Sequence, residues 1–529
     1  MWGIMLRVEN DGQITDTISL KTYPVTQLTV AQLKQQEQHM IALGQRMKVP
    51  HTYKKTWTQE KCTAERDMGI ISATQQAARR FCMDGGWDSQ KEAPVSHEKA
   101  TQVTMYHVAG GIKSAVFQNL MLDFVNVSIR APIESMAQDG GKHDPRFKFN
   151  MQLINCACTE LTDYFMNEMT NEITRRNNQI WGSSLTAFSS GDVPLPTICA
   201  PRLPTDLKRS AWDFIKYPTQ APDNIETIIF NDPVVLVAQH HDHNPFFQIS
   251  NALNAWIMLK ALNWSLTSTY VIHLDAGYPS PIDELHQGLL APYHKLIDGA
   301  TLMGKRVHFR GNVLVASAEM SGPMMQHLND DEPCYDSDLM KLFRAQSLLT
   351  MNVTPEVELE VGLNRIGPMI VTVITRRPYR GRKLERIWVN EDEVMERMRT
   401  EYKDLNVEFR SVDYVGLTLR EQMITTIESD IIIGMHGAGL VNVLWARPMT
   451  TVMEIFPFLR RRWGYRNLCQ FVGCDWHDYR GGEDIGSKRD PNQQNKRILY
   501  DDWMLFFQPL FERTYEAFQT QQAVLRAKA

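Results

Sequence analysis

The 529-residue chain lacks any apolar run close to the eighteen or so residues a membrane-crossing helix needs, so none is expected. It has no Cys-x-x-Cys pair, which argues against a zinc ribbon, and no His-Glu-x-x-His metalloprotease motif. It has no Gly-x-Ser-x-Gly elbow, so its His-Gly-Ala-Gly turn cannot belong to an α/β-hydrolase. Net charge is only −5, without the basic surplus of a dedicated nucleic-acid binder. Met1–Arg7 show neither an apolar core nor a cleavage pattern, and no signal peptide is expected there. Internal repeats and low-complexity segments are absent as well.

What is present is the composition of a globular protein, 43% hydrophobic and 22% charged, long enough for two or more domains. Eight cysteines permit disulfides, and sequons at Asn126, Asn263 and Asn352 suit a secretory lumen.

The most informative stretch runs from Ile431 to Trp445. Three isoleucines predict a strand buried on both faces, three glycines within six residues end it, and an apolar helical run starts at Leu440. A strand, a glycine turn and a helix N-terminus can bind an anion, although a plain tight βα turn reads equally well. Its Gly-x-x-Gly-x-Gly order is not that of the dinucleotide fingerprint. Around it, residues 369–375, 407–410, 431–434 and 452–456 read as strands and 391–402 and 417–428 as helices. That alternation predicts a parallel α/β sheet. Upstream, Asp232–Ala238 and Tyr270–Leu274 read as buried strands, and Asn244-Pro245 caps a helix from Phe246 to Trp264. Strands are expected near Val116–Leu120 and Phe124–Ile129, helical text at Leu28–Met47 and a long connection at Ser189–Pro222. The expected division is an N-terminal extension (1–100), an α/β domain (101–364), a Rossmann-like domain (365–500) and a C-terminal helix (501–529).

Several side chains could do chemistry at these strand ends. Arg376 opens a basic run that continues to Arg386, and its fork matches phosphate oxygens, whereas Arg380, Arg382 and Lys383 read as a solvated loop. Asn390 and Glu393 read as a helix capping box. Glu454 ends the next strand, as a ribose ligand or a cap. Asp242 and His243 are the candidates for acid–base work. His240, His241, Asp242 and His243 alternate faces in a strand and do not converge on a metal. Asp336-Ser337-Asp338 spells a divalent-metal signature but lies in loop text.

The ordered set resembles glycosyltransferase family 61. It comprises Ile374-Thr375-Arg376, Arg386, Asn390-Glu391-Asp392-Glu393, Gln422, Asp430 through Leu440, and Glu454-Ile455-Phe456-Pro457, with Tyr465–Leu468 and Trp476–Tyr479 further on. Asp232-Pro233-Val234 and His243-Asn244-Pro245-Phe246 stand where the family has its acceptor-side motif. The resemblance implies a two-domain GT-B fold and an inverting transfer of GlcNAc or xylose from a UDP-sugar to a glycan or glycoprotein in the Golgi or endoplasmic reticulum. It implies no required metal. It puts Arg376, Arg386, Asn390, His436, Gly437, Ala438, Gly439 and Glu454 at the donor. Where many relatives carry His and Asp, this chain has Phe247, Gln248 and Asn251. The base must then be Asp242 or His243, or the chain is an inactive homologue that binds a glycan or protein.

Overall fold

The structure is a computed structural model. It describes residues 59–81, 225–237, 244–273, 280–302, 304–315, 322–325, 334–377, 386–460, 462–486 and 493–528, with short strand segments between 9 and 154. The expectations for Leu28–Met47, Ser189–Pro222, Asp242 and His243 fall outside the described residues.

The chain divides into two compact units, one holding Gly69–Gln326 and the other His327–Ala529, to which Leu28–Met68 also belongs. The second unit thus begins before the expected 365. Helix Asp338–Thr350 explains this, because buried Arg344 donates to the carbonyls of Trp445 and Ala446 at 2.8 and 3.1 Å and so ties that helix to the later sheet. Disulfides join Cys62 to Cys334 and Cys469 to Cys474.

The first unit is built on a mixed sheet. Its strands are β1 (Ala78–Phe81), β2 (Gln102–His107), β3 (Lys113–Asp123), β4 (Thr227–Phe230), β5 (Val234–Val237), β6 (Tyr270–His273), β7 (Ile297–Asp298) and β8 (Arg306–Val315), with the short strand Leu153–Ile154 antiparallel to β3. Their order is β7-β6-β5-β8-β3-β2-β1, with β4 beside the first half of β8. Pairs among β4 to β8 are parallel, and β8-β3, β3-β2 and β2-β1 are antiparallel. The expected strand at 116–120 lies within β3; of that expected at 124–129, Ser128–Ile129 form a two-residue strand antiparallel to Phe147–Lys148, and 124–127 fall outside the described residues.

Helix α1 (Gly69–Gln76) is followed by α2 (Pro245–Leu262), which starts where the Asn-Pro pair predicts. The Asn244 side chain accepts the Phe246 N–H at 3.1 Å, and Asn263 closes the helix in a left-handed conformation. Almost the whole circumference of α2 is buried, including Gln248, Ser250, Asn251 and Asn254. Helix α3 spans Ile282–Leu290.

The second unit carries an all-parallel sheet of β9 (Met369–Ile374), β10 (Val407–Val412), β11 (Ile431–Met435), β12 (Thr451–Ile455) and β13 (Asp475–Tyr479), in the order β10-β9-β11-β12-β13. Four of these strands, and helices at Glu391–Glu401 and Leu419–Glu428, agree with the sequence pattern to within about two residues at each end. Every residue of β9, β11 and β12 is buried, as a sheet covered on both faces requires.

The C-terminal helix, Tyr500–Lys528, lays Trp503, Phe507, Phe511 and Phe518 on this sheet's core beside Met369, Ile433 and Tyr402. Spacings of four and seven residues put that aromatic stripe on one helix face. Truncating one such ring costs about 3–5 kcal/mol, so the helix is integral to the unit.

At the amino end of β11 one carboxylate ties two arginines and a backbone amide together. Asp430 accepts from Arg447 and Arg365, both at 2.7 Å, and from the Ile370 amide at 2.8 Å.

Candidate functional site at the strand ends of the second unit

Parallel register sets out the site. Ile374, Gly434, Glu454 and Asp478 are successive partners across β9, β11, β12 and β13. Arg376 and His436 therefore each lie two residues beyond paired positions on adjacent strands, at the carboxyl edge where open α/β sheets bind ligands.

Glu454 is a carboxylate with no solvent exposure, and such a group needs partners. His436 Nδ1 lies 2.5 Å from its Oε1, and the Trp476 indole N–H donates to Oε2 at 2.9 Å. The backbone N–H of His436 donates to the Ile455 carbonyl at 2.8 Å, and Arg386 Nε donates to the His436 carbonyl at 3.0 Å. Arg386 holds φ at +59°, a left-handed conformation costing roughly 1 kcal/mol or more in a non-glycine residue.

Four arginines act on the imidazole. Burial first, and then Arg460, Arg386, Arg462 and Arg376, hold the His436 pKa well below the ordinary imidazole value. Burial raises the Glu454 carboxyl well above its usual range, against the pull of the Trp476 hydrogen bond. His436 is thus a neutral ring, fixed through Nδ1, with Nε2 left to meet a ligand.

Gly437 explains one glycine of the motif. A Cβ built there would stand 2.5 Å from Arg376 Nη1, so the guanidinium lies across the turn where a side chain would push it aside. A Cβ on Gly439 would press on Ile374 at 3.1 Å. From Ala438 to Trp445 the chain forms a 3₁₀ helix, not the α-helix expected from Leu440. Asn442 turns its amide back to the Gly439 carbonyl at 3.1 Å and to Gln422 at 3.2 Å, and Leu440 N–H closes a tight turn on the Gly437 carbonyl.

Two expectations need correction. The Asn390 side chain caps no helix: its amide donates to the Ile498 carbonyl at 2.9 Å and its oxygen accepts the Ile498 N–H at 3.0 Å. It staples the strand Gln494–Arg497 to the helix start, and no capping box with Glu393 forms. The Asp336-Ser337-Asp338 motif is a helix start, with Ser337 accepting the Met340 N–H at 3.3 Å and Asp336 paired to Lys341.

An aromatic wall stands beside the pair; the sequence reading placed Phe456, Tyr465 and Trp476 in the resemblance but gave them no role. Phe456 stacks on His436 at 4.9 Å, Tyr465 lies at 5.3 Å, and Trp463 and Trp476 continue the wall. The Arg480 guanidinium covers Phe456 at 4.4 Å. The signal was there in Phe456-Pro457-Phe458-Leu459-Arg460-Arg461-Arg462-Trp463, a basic and aromatic run directly after the β12 carboxylate. The structure therefore brings His436, Glu454, Arg376, Arg386 and Gly437 together and gives Asn390 a scaffolding contact.

Comparison with known proteins supplies the context. The family profile "Glycosyltransferase 61" matches residues 293–453. An EGF domain-specific O-linked N-acetylglucosamine transferase of Canis lupus familiaris is 23% identical over 232 residues, 43% of this chain and 41% of that protein. Its Gallus gallus counterpart is 24% identical over 233 residues, with the same shares. A beta-1,2-xylosyltransferase of Arabidopsis thaliana is 21% identical over 168 residues, 29% of this chain and 32% of that protein. The matched part is thus about two fifths or less of each relative's length.

Proposed function

We propose that the chain, whose residues 293–453 match the glycosyltransferase family 61 profile, moves a sugar, GlcNAc or xylose, from a UDP-sugar to a hydroxyl of a glycan or glycoprotein, with inversion. The observation that carries the reading is the neutral His436 held by buried Glu454 and ringed by Arg376, Arg386, Arg460 and Arg462. Arginine forks can neutralise the charge that grows on a departing diphosphate. Such a site does this without a metal. The aromatic wall beside it offers a face on which a base could stack. A GT-B arrangement belongs to the same proposal, with the first unit presenting the acceptor.

Single displacement needs a base on the acceptor side. Gln248 and Asn251 are buried amides of α2 and cannot take a proton, which leaves Asp242 and His243 as the proposed pair. The same amides favour the second reading, a homologue that binds its donor and transfers nothing. Cys62–Cys334, Cys469–Cys474 and the exposed sequon residues Asn263 and Asn352 support a secretory-lumen setting.

A thermal-shift panel of UDP-sugars followed by product analysis tests both readings, since a ligand of the native state raises its stability. Stabilisation by UDP-GlcNAc or UDP-xylose with a transferred product supports the transferase. Stabilisation without transfer or hydrolysis supports the inactive homologue. No stabilisation by any UDP-sugar refutes the donor site. Loss of transfer in Asp242→Asn or His243→Ala, with donor binding kept, identifies the base.

A further inference from the structure

The first unit holds a second buried histidine–carboxylate group, at the carboxyl end of β6. His273 is the last residue of that strand, and Asp283 and His286 sit three residues apart on α3. That spacing puts both side chains on one helix face. All three are buried, with 4%, 2% and 0% of their surface exposed. One ligand-capable atom from each lies within 4.8 Å of the other two, and His273 Nδ1 is 3.6 Å from Asp283 Oδ1. The two rings meet edge to face at 5.1 Å.

Neither ring nitrogen of His286 has a hydrogen-bond partner among the described residues. An imidazole always carries at least one N–H or one lone pair that seeks a partner, and leaving it buried and unpaired costs about 1–3 kcal/mol. Asp283 is held from behind. Its Oδ2 accepts the Ser280 N–H at 3.2 Å, and Ser280 Oγ donates to buried Gln248 at 2.7 Å. Metal sites orient their ligands with an outer shell of this kind.

We propose that His273, Asp283 and His286 form a binding site for a divalent transition-metal ion of the zinc class. Two imidazoles and one carboxylate are a nitrogen-rich donor set that suits zinc over magnesium or calcium. A tetrahedral ion with bonds near 2.0–2.2 Å separates its ligand atoms by roughly 3.4 Å, close to the His273–Asp283 distance. Three protein ligands leave a fourth position for water or an added anion. The site was not legible in the sequence, because its ligands are divided between a strand end and a helix further along the chain.

The test uses the full chain, stripped by chelator and back-titrated with Zn²⁺, with bound metal measured by mass spectrometry. Co²⁺ replacement then reports coordination by ligand-field absorption. The expected result is about one equivalent of retained zinc. His286→Leu should weaken binding on the order of a hundredfold, and Asp283→Asn should also weaken it. Circular dichroism confirms folding, and His286→Gln serves if the leucine variant does not fold. His241 and His243 could also capture zinc, so a His241→Ala/His243→Ala double variant is included, and it should keep its metal. The proposal is overturned if wild type retains no zinc, if the His286 variants bind as wild type does, or if only the double variant loses the metal. None of these readouts depends on UDP binding, so the site stands or falls apart from the donor site.

Discussion

Each unit buries a histidine–carboxylate group at the carboxyl end of its parallel strands, and the two groups are finished differently. In the second unit His436 and Glu454 are 2.5 Å apart, Trp476 takes the other carboxylate oxygen, and four arginines act on the ring. In the first unit His286 has no hydrogen-bond partner among the described residues, and the charges acting on it are those of His273 and Asp283. A histidine ringed by cations and kept neutral presents positive surroundings to an anion. A histidine left with bare nitrogens beside a carboxylate presents donors to a cation. The same residue pair therefore implies opposite ligand charges, and the neighbours decide which.

The contrast can be broken by mutation. Glu454→Ala leaves the buried His436 ring and the Trp476 indole N–H without their partner, at roughly 1–3 kcal/mol for each. Chemical denaturation should show that loss. A change below about 1 kcal/mol would mean that the pair is not a structural unit.

Acidification gives a smaller effect. His436 has its folded pKa below the ordinary value, so as pH falls through about 6.5 the unfolded chain takes up a proton that the folded chain refuses. Native stability then drops by up to about 1.4 kcal/mol per pH unit. His436→Gln should make that limb shallower. Glu454 works the other way, because its raised pKa favours the folded state on acidification, and Glu454→Gln should steepen the limb. Equal slopes in all three proteins would contradict the assigned directions.

The smallest effect is expected at the other histidine. With metal removed, His286→Leu gives up no hydrogen bond and should shift stability by less than about 1 kcal/mol in either direction. Denaturation in chelator checks this, and a loss as large as that of Glu454→Ala would erase the distinction between the two groups.

The sheet of the second unit could be read from the sequence because its strands are uniform apolar runs separated by amphipathic helices. Met369–Ile374 and Ile431–Met435 carry that signal fully. The fifth strand, Asp475–Tyr479, could not be read this way: its Asp-Trp-His-Asp-Tyr sequence alternates on a sheet edge instead of running apolar. Arg376, His436 and Glu454 were visible because each ends or follows a strand, and register then aligns them. Asn390 was misread because local capping and a contact to Ile498, distant in sequence, look alike along the chain. The 3₁₀ turn after Gly437 depends on where Asn442 finds its partners, which periodicity does not encode.

The central claim is that the arginine-ringed His436 turn holds a nucleotide diphosphate, and calorimetric titration of UDP into the intact chain tests it most directly. Wild type should bind, and Arg376→Ala and His436→Ala should each weaken binding by about ten- to a hundredfold, the worth of a charge-assisted hydrogen bond, with the fold intact by circular dichroism. Unchanged UDP affinity in both variants would contradict the account.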